Sequence, residues 1–363
     1  MDFLTSAHRY TDNRNFGLDV IRALSILLVL AAHTFTFEYV ELGVWGVEVF
    51  FVLSGFLIGQ ILIRDFQNGI TVKGILNFWK RRWYRTLPLY YAVIFVKFIF
   101  FDSSLGWKIL AYVFFLQNNF VGISFFGVSW SLVIEEWFYL LFPIGFLVLF
   151  RRGFTTRTFL YTVIVLIFGF IALRTGWVMY SHRTFDGIRP NFIFRFDSLL
   201  MGVLLAHLKL HYHAVYYKLG SIKWFLSGLL LMVFLAFDLG NVHGEGVPKA
   251  DSHLFYRTFW FALFSLSVML IIPFFESNAF IKRIASIKPL FYFFTWTSIL
   301  TYSMYLIHMF VFKIPIGTDH LLLVVPIHFL LLYVCSWFIF RFYEHPMMTL
   351  RDKSFFKKAK ALV

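Results

Sequence analysis

Ten stretches of this sequence stay apolar for close to twenty residues, at about 17–37, 44–63, 86–101, 131–150, 158–178, 193–208, 222–239, 256–275, 293–312 and 320–340. Twenty residues of α-helix rise about 30 Å, the thickness of a bilayer's hydrocarbon core. Inside lipid every backbone N–H and C=O must find a partner within the chain, so such runs form either helices or the strands of a closed barrel. The two-residue alternation of barrel strands is absent, which leaves an all-α, polytopic membrane helix bundle of about ten transmembrane helices. The third and sixth stretches are short. The segment 103–116 contains ILAYVFFLQ, too brief an apolar run to cross, and is expected as a re-entrant or surface segment on the outer side.

Charge is scarce and unevenly placed. Apolar residues fill 60% of the 363 positions and charged ones only 14%, too few to solvate a globule of this length. Aromatic residues reach 22%, which suits lipid contact and interfacial belts. The net charge of +14 would suit a nucleic-acid binder. The basic residues, however, gather in short clusters between apolar stretches, as in cytoplasmic loops, so no nucleic-acid partner is expected. With the N-terminus in the cytoplasm, 23 Lys and Arg fall inside and 8 outside, which predicts ten helices with both termini cytoplasmic. The opening MDFLTSAHRYTDNRNFGLDV lacks a short charged head followed directly by an apolar core and cleavage site, so the first stretch is expected to remain as a helix. The single cysteine, Cys335, lies in an apolar run and excludes an internal disulfide framework.

An ionisable group within a membrane helix is costly and marks a functional candidate. The first stretch carries Asp19, Arg22 and His33. Arg22 and His33 are eleven positions apart, roughly 16 Å along a helix and about 20° from exact alignment, so they share a stripe. Asp19, three residues before Arg22, is placed to pair with it. A buried His33 would serve as a general base near neutral pH; the plainer alternative is a snorkelling arginine and an interfacial histidine. Between the second and third stretches, FWKRRWYRTLP gathers Lys80, Arg81, Arg82 and Arg85, whose guanidinium forks suit phosphate. A simple cytoplasmic basic cluster flanked by Trp79 and Trp83 is the alternative.

Glu135 and Glu136 stand side by side one turn into the fourth helix, too expensive there to be decoration. Arg195 and Asp197 form another expected polar pair, Tyr305 and His308 read as structural hydrogen-bonding groups, and Glu344 is placed to cap or to pair with inner arginines. Metal ligation is not expected: there is no HExxH, cysteine pair or tight His/Asp cluster. Ser54 lacks the GxSxG elbow of a hydrolase nucleophile, and no Walker A or GxGxxG pattern is present.

Taken together, LDVIRALSILLVLAAH at 18–33, GVEVFFVLSGFLI at 46–58, RRWYRTLP at 81–88, WSLVIEEWFYLLFP at 130–143, RFDSLLMGVLLA at 195–206, YSMYLIH at 302–308 and YEHP at 343–346 resemble the motifs of the acyltransferase-3 family, in family order. The resemblance implies a bacterial inner-membrane enzyme that moves an acyl group, commonly acetyl, from cytoplasmic acyl-CoA (acetyl-CoA or another) to a hydroxyl of an envelope glycan or lipid-linked saccharide. It implies a transmembrane domain over 1–345 and a short basic cytoplasmic tail over 346–363. The family's essential Arg and His fall on Arg22 and His33, and its Arg-x-x-Arg pair on Arg82 and Arg85. Some members carry a fused extracytoplasmic esterase-like domain, which is not expected here because the sequence stops soon after the tenth stretch.

The residues support a matching mechanism. Arg82 and Arg85 hold the CoA phosphates at the inner mouth and the pantetheine arm extends toward His33. His33 either deprotonates the acceptor hydroxyl or briefly carries the acyl group. Glu135 orients the imidazole, and Arg22 assists the donor or fixes the first helix through Asp19. Glu136, Arg195, Asp197, Tyr305 and His308 form a supporting polar network. A secondary transporter or flippase for a lipid-linked sugar accounts equally for ten helices and intramembrane charge, but not for an inner arginine cluster with a deeper histidine. An envelope scaffold would tolerate loss of His33 and Glu135 together.

Overall fold

The computed structural model describes residues 14–34, 40–69, 71–150, 153, 155–243, 251, 253–317 and 320–351. The last twelve positions of the expected basic tail lie outside these residues. Among the described residues there is no strand. The long helices are α1 (Phe16–Thr34), α2 (Val40–Gln67), α3 (Val72–Phe100), α4 (Trp130–Leu149), α5 (Thr156–Ser181), α6 (Phe196–His211), α7 (Ile222–His243), α8 (Phe259–Ser277), α9 (Lys288–Val311) and α10 (Leu321–Ile339). Each overlaps one expected stretch. By length and composition, seven of them, α1, α2, α4, α5, α8, α9 and α10, can cross a membrane. An eighth candidate is the pair formed by His213–Leu219 and the start of α7, bent by 61°. α3 carries the basic cluster in its first half, and α6 is only 16 residues long. The segment after α3 breaks into short helical turns at Gly106–Lys108, Ile109–Val113 and Gln117–Phe120, each too short to span.

The chain divides into two compact units, 1–64 with 152–301 and 65–151 with 302–363. In the first, α8 packs against α7, α1 and α6, and α6 packs against α5. Lipid offers no hydrophobic drive for helix pairing, so small residues that let backbones approach matter more than greasy ones. A Cβ on Gly55 of α2 would sit 1.9 Å from the Leu199 carbonyl oxygen of α6, and one on Gly202 of α6 would sit 2.0 Å from the Val52 oxygen of α2. A Cβ on Gly17 of α1 would sit 1.7 Å from the Phe275 oxygen of α8. These contacts fix helix axes at distances that no side chain permits.

In the second unit, Thr71 caps α3 by accepting from the Gly74 N–H at 3.2 Å. Beyond the cap, α3 packs against α4 and the His345–Leu350 helix. The Tyr302 and Tyr343 hydroxyls donate to the Thr86 and Pro88 carbonyls of α3 at 2.5 and 3.1 Å. A row of rings on α4, Phe138, Phe142 and Phe146, is buried in the same unit. Elsewhere the long helices turn apolar residues outward, as at Val165 and Phe168 of α5 and Leu322 and Leu330 of α10. Such rows on a water-soluble surface would be an aggregation liability; on a membrane protein they meet acyl chains.

Candidate functional site

The expected site residues sort into the two units, and the geometry of each is self-contained. In the first unit, α1 begins where Asn15 accepts from the Leu18 N–H at 3.1 Å and donates to the Glu276 carbonyl at 3.1 Å. One turn on, Asp19 is buried and serves as a hub. Arg14 pairs with it through two guanidinium nitrogens, Ser298 of α9 donates to its Oδ1 at 2.7 Å, and Arg22 approaches the same oxygen at 3.7 Å. Arg22 Nη1 also donates to Ser298 Oγ at 3.3 Å. The expected Asp19–Arg22 pair therefore exists, with a serine hydroxyl bridging it.

His33 lies in the last turn of α1, three turns from Arg22 on the same stripe. Of the two placements the sequence leaves open, a buried base and an interfacial imidazole, the exposed His33 side chain suits the second. The packed part of α1 ends at Ala32, so the ring projects past it.

Arg195 and Asp197 do not pair with each other. Arg195 precedes α6 and Asp197 lies in its first turn. Arg195 instead bonds Glu48 of α2 at 2.5 and 2.6 Å, and Asp197 takes both ends of the Arg174 guanidinium at 2.9 and 2.8 Å. All four side chains are fully buried. The Phe261 ring lies 3.9 Å from the Arg195 guanidinium carbon and 5.4 Å from that of Arg174, so one aromatic face serves both cations. Arg174 also donates to the Phe194 and Thr258 carbonyls, at 2.5 and 3.0 Å. Glu48 carried no expected role; its signal was a lone carboxylate inside the apolar run GVEVFF.

In the second unit, Arg82 and Arg85 stand one turn apart on α3. Arg85 is exposed. Arg82 donates to the Tyr139 hydroxyl at 2.7 Å and lies over that ring, 4.3 Å from its centre. Its Nε is enclosed with no acceptor among the described residues. Trp79 and Trp83 stack at 5.6 Å beside them, and the Trp79 indole donates to the Tyr139 carbonyl at 2.9 Å, so both tryptophans are tied to the protein. Of the two adjacent carboxylates, Glu136 is buried and accepts from Thr86 Oγ1 at 2.9 Å, whereas Glu135 is half-buried on the neighbouring face.

Tyr305 and Ser131 share a 2.7 Å hydrogen bond, and the Tyr305 hydroxyl donates to the Val128 carbonyl at 2.7 Å. His308 turns Nδ1 toward the carbonyl of Tyr305 at 2.8 Å, within its own helix. Glu344 accepts from Ser303 at 2.6 Å. Among the described residues no group of three or more His, Cys, Asp or Glu is placed to hold a metal ion.

Comparison with known proteins places this geometry in context. The acyltransferase-3 model, described as an acyltransferase domain, matches residues 15–346. The peptidoglycan O-acetyltransferase OatA of Listeria monocytogenes is 27% identical over 330 residues, covering 83% of this chain and 50% of its own length. The O-acetyltransferase OatA of Staphylococcus aureus is 28% identical over 320 residues, covering 80% of this chain and 50% of its own. The putative peptidoglycan O-acetyltransferase YrhL of Bacillus subtilis is 35% identical over 158 residues, 38% of this chain and 24% of its own. The chain thus spans about half the length of these OatA relatives. No solved structure matches.

Proposed function

Because the chain belongs to the acyltransferase-3 family, we propose that it is a multi-pass membrane O-acyltransferase that moves an acetyl group from cytoplasmic acetyl-CoA to a hydroxyl of an envelope glycan, with peptidoglycan the first acceptor to test. The observation that carries the reading is the family match across 15–346, supported by what its motif residues do here. Arg22 is ordered in a polar hub, His33 is accessible on the same helix, and Arg82 keeps an enclosed nitrogen without an acceptor among the described residues. In this reading all ten long helices cross the inner membrane of a bacterium and both termini are cytoplasmic.

Arg82 and Arg85 hold the donor's phosphates, as guanidinium forks do well. His33 takes the proton of the acceptor hydroxyl, whose oxygen attacks the thioester carbonyl; the C–S bond breaks and the CoA thiolate leaves and is protonated. Alternatively the imidazole itself attacks, carries the acetyl group, and passes it to the hydroxyl. Either route yields one ester and one free CoA thiol. Arg22 assists at the donor.

The test is analysis of envelope glycans from cells carrying the wild-type gene, no gene, or His33→Ala at matched membrane abundance. One ester present in the first and missing in the other two is expected. Undiminished ester in His33→Ala sinks the assignment of His33, and identical glycans in all three sink the reading. Binding provides a second measurement. Arg82→Ala and Arg85→Ala should each weaken acetyl-CoA binding to purified protein by about tenfold or more, the worth of a charge-assisted contact. Unchanged affinity removes the donor site from α3. Substrate movement across vesicles without any acyl donor would favour a transporter instead.

A further inference from the structure

Ser298 belongs to none of the family-like motifs and is deeply buried on α9. A serine hydroxyl has one proton to give and two lone pairs to fill. Here all three are used: Oγ donates to Asp19 Oδ1 at 2.7 Å and accepts from Arg14 Nη2 at 3.0 Å and Arg22 Nη1 at 3.3 Å. The hydroxyl touches all three charged members of the hub. Asp19 and Arg22 lie 3.7 Å apart, longer than a hydrogen bond, so their direct attraction alone leaves the guanidinium's direction loose. Arg14 holds Asp19 far more closely than Arg22 does, and two cations share one carboxylate. The excess positive charge pushes the two guanidiniums apart unless something fixes both. Ser298 does so with the lowest possible freedom, because α9 carries it and its rotamer is set by three bonds.

We propose that Ser298 is a positioning residue for Arg22: its hydroxyl, locked between Asp19 and Arg14, sets the direction in which the Arg22 guanidinium faces its substrate. The functional half of this rests on the acyltransferase reading above; the geometric half does not. Asp19 acts as the anchor and Arg14 as its nearest cation.

The experiment measures both halves on full-length protein in lipid nanodiscs. Phenylglyoxal modification of Arg22, followed by peptide mass spectrometry, reports how firmly the guanidinium is held. Release of CoA thiol from acetyl-CoA in the presence of peptidoglycan fragments reports turnover. Ser298→Ala should raise the Arg22 modification rate by at least about fivefold, as expected for loss of a hydrogen bond to a charged group. Turnover should fall by about ten- to a hundredfold, the cost of a misplaced reacting group.

Ser298→Thr, which keeps the hydroxyl, should recover most of both. Thr297→Val removes a neighbouring buried hydroxyl that has no partner among the described residues, and should change neither. In an Arg22→Ala background, Ser298→Ala should cost no further turnover, because the two act as one unit. Unchanged Arg22 reactivity in Ser298→Ala overturns the proposal, as does an equal rise in Thr297→Val. Altered reactivity with no turnover in the wild-type protein would uphold the positioning and sink the acyltransferase reading instead.

Discussion

Glu48, Arg174, Arg195 and Asp197 form two neutral pairs with no exposure, and their energetics are asymmetric. Removing one partner strands a charge in a dry interior, at a cost of about 3–5 kcal/mol, whereas replacing both by apolar groups of similar size is often neutral. Glu48→Leu should therefore lower the melting temperature of purified protein sharply, and adding Arg195→Met should restore much of it. A double variant no more stable than the single would show that the pair is not what Glu48 serves. Tyr305 makes the opposite prediction. Its hydroxyl has two partners, Ser131 and Val128, both structural, so Tyr305→Phe should cost about 1–2 kcal/mol of stability while acetyl transfer persists. Composition and spacing made Arg195 and Asp197 visible as candidates, but not Glu48 or Arg174. They could not choose the partners: Arg195 and Glu48 lie 147 positions apart, and nothing local links them. The nearer carboxylate, Asp197, is taken by Arg174 instead.

Helices were the most legible part of the chain. Each apolar stretch became a helix because lipid allows little else, and the ILAYVFFLQ segment broke into short turns as its length requires. What the hydropathy pattern does not encode is which helices touch. That information sits in glycines whose meaning appears only when a second backbone is present, as at Gly55 and Gly202 between α2 and α6. Gly202→Val should abolish recovery of monodisperse protein, since its Cβ would meet the Val52 carbonyl and neighbouring backbone rather than a movable side chain. Gly145→Ala on α4 has nothing within 4 Å and should be tolerated, with a gain of up to about 1 kcal/mol from helix propensity. Equal behaviour of the two variants, followed by size-exclusion chromatography, would dismiss close packing as the reason for Gly202.

For the molecule entire, the charge bias makes a definite topological prediction. In a Cys335→Ser background, a cysteine at Lys108 should react with a membrane-impermeant maleimide added outside intact cells, and one at Lys80 only after permeabilisation. The reverse pattern would invert the protein and with it the assignment of donor and acceptor sides. The buried pairs add something about how such a chain comes to exist. Glu48 of α2 and Arg174 of α5 are both made before α6, and α6 brings the counter-ions of both, Arg195 and Asp197. Until α6 arrives, two helices wait in or beside the bilayer, each with a charge whose counter-ion among the described residues comes with α6. The sixth helix is thus a keystone in the order of biosynthesis. A ribosome stalled just before it leaves a nascent chain that the quality-control proteases should recognise, and one stalled just after it leaves a chain whose electrostatic debt is already cleared.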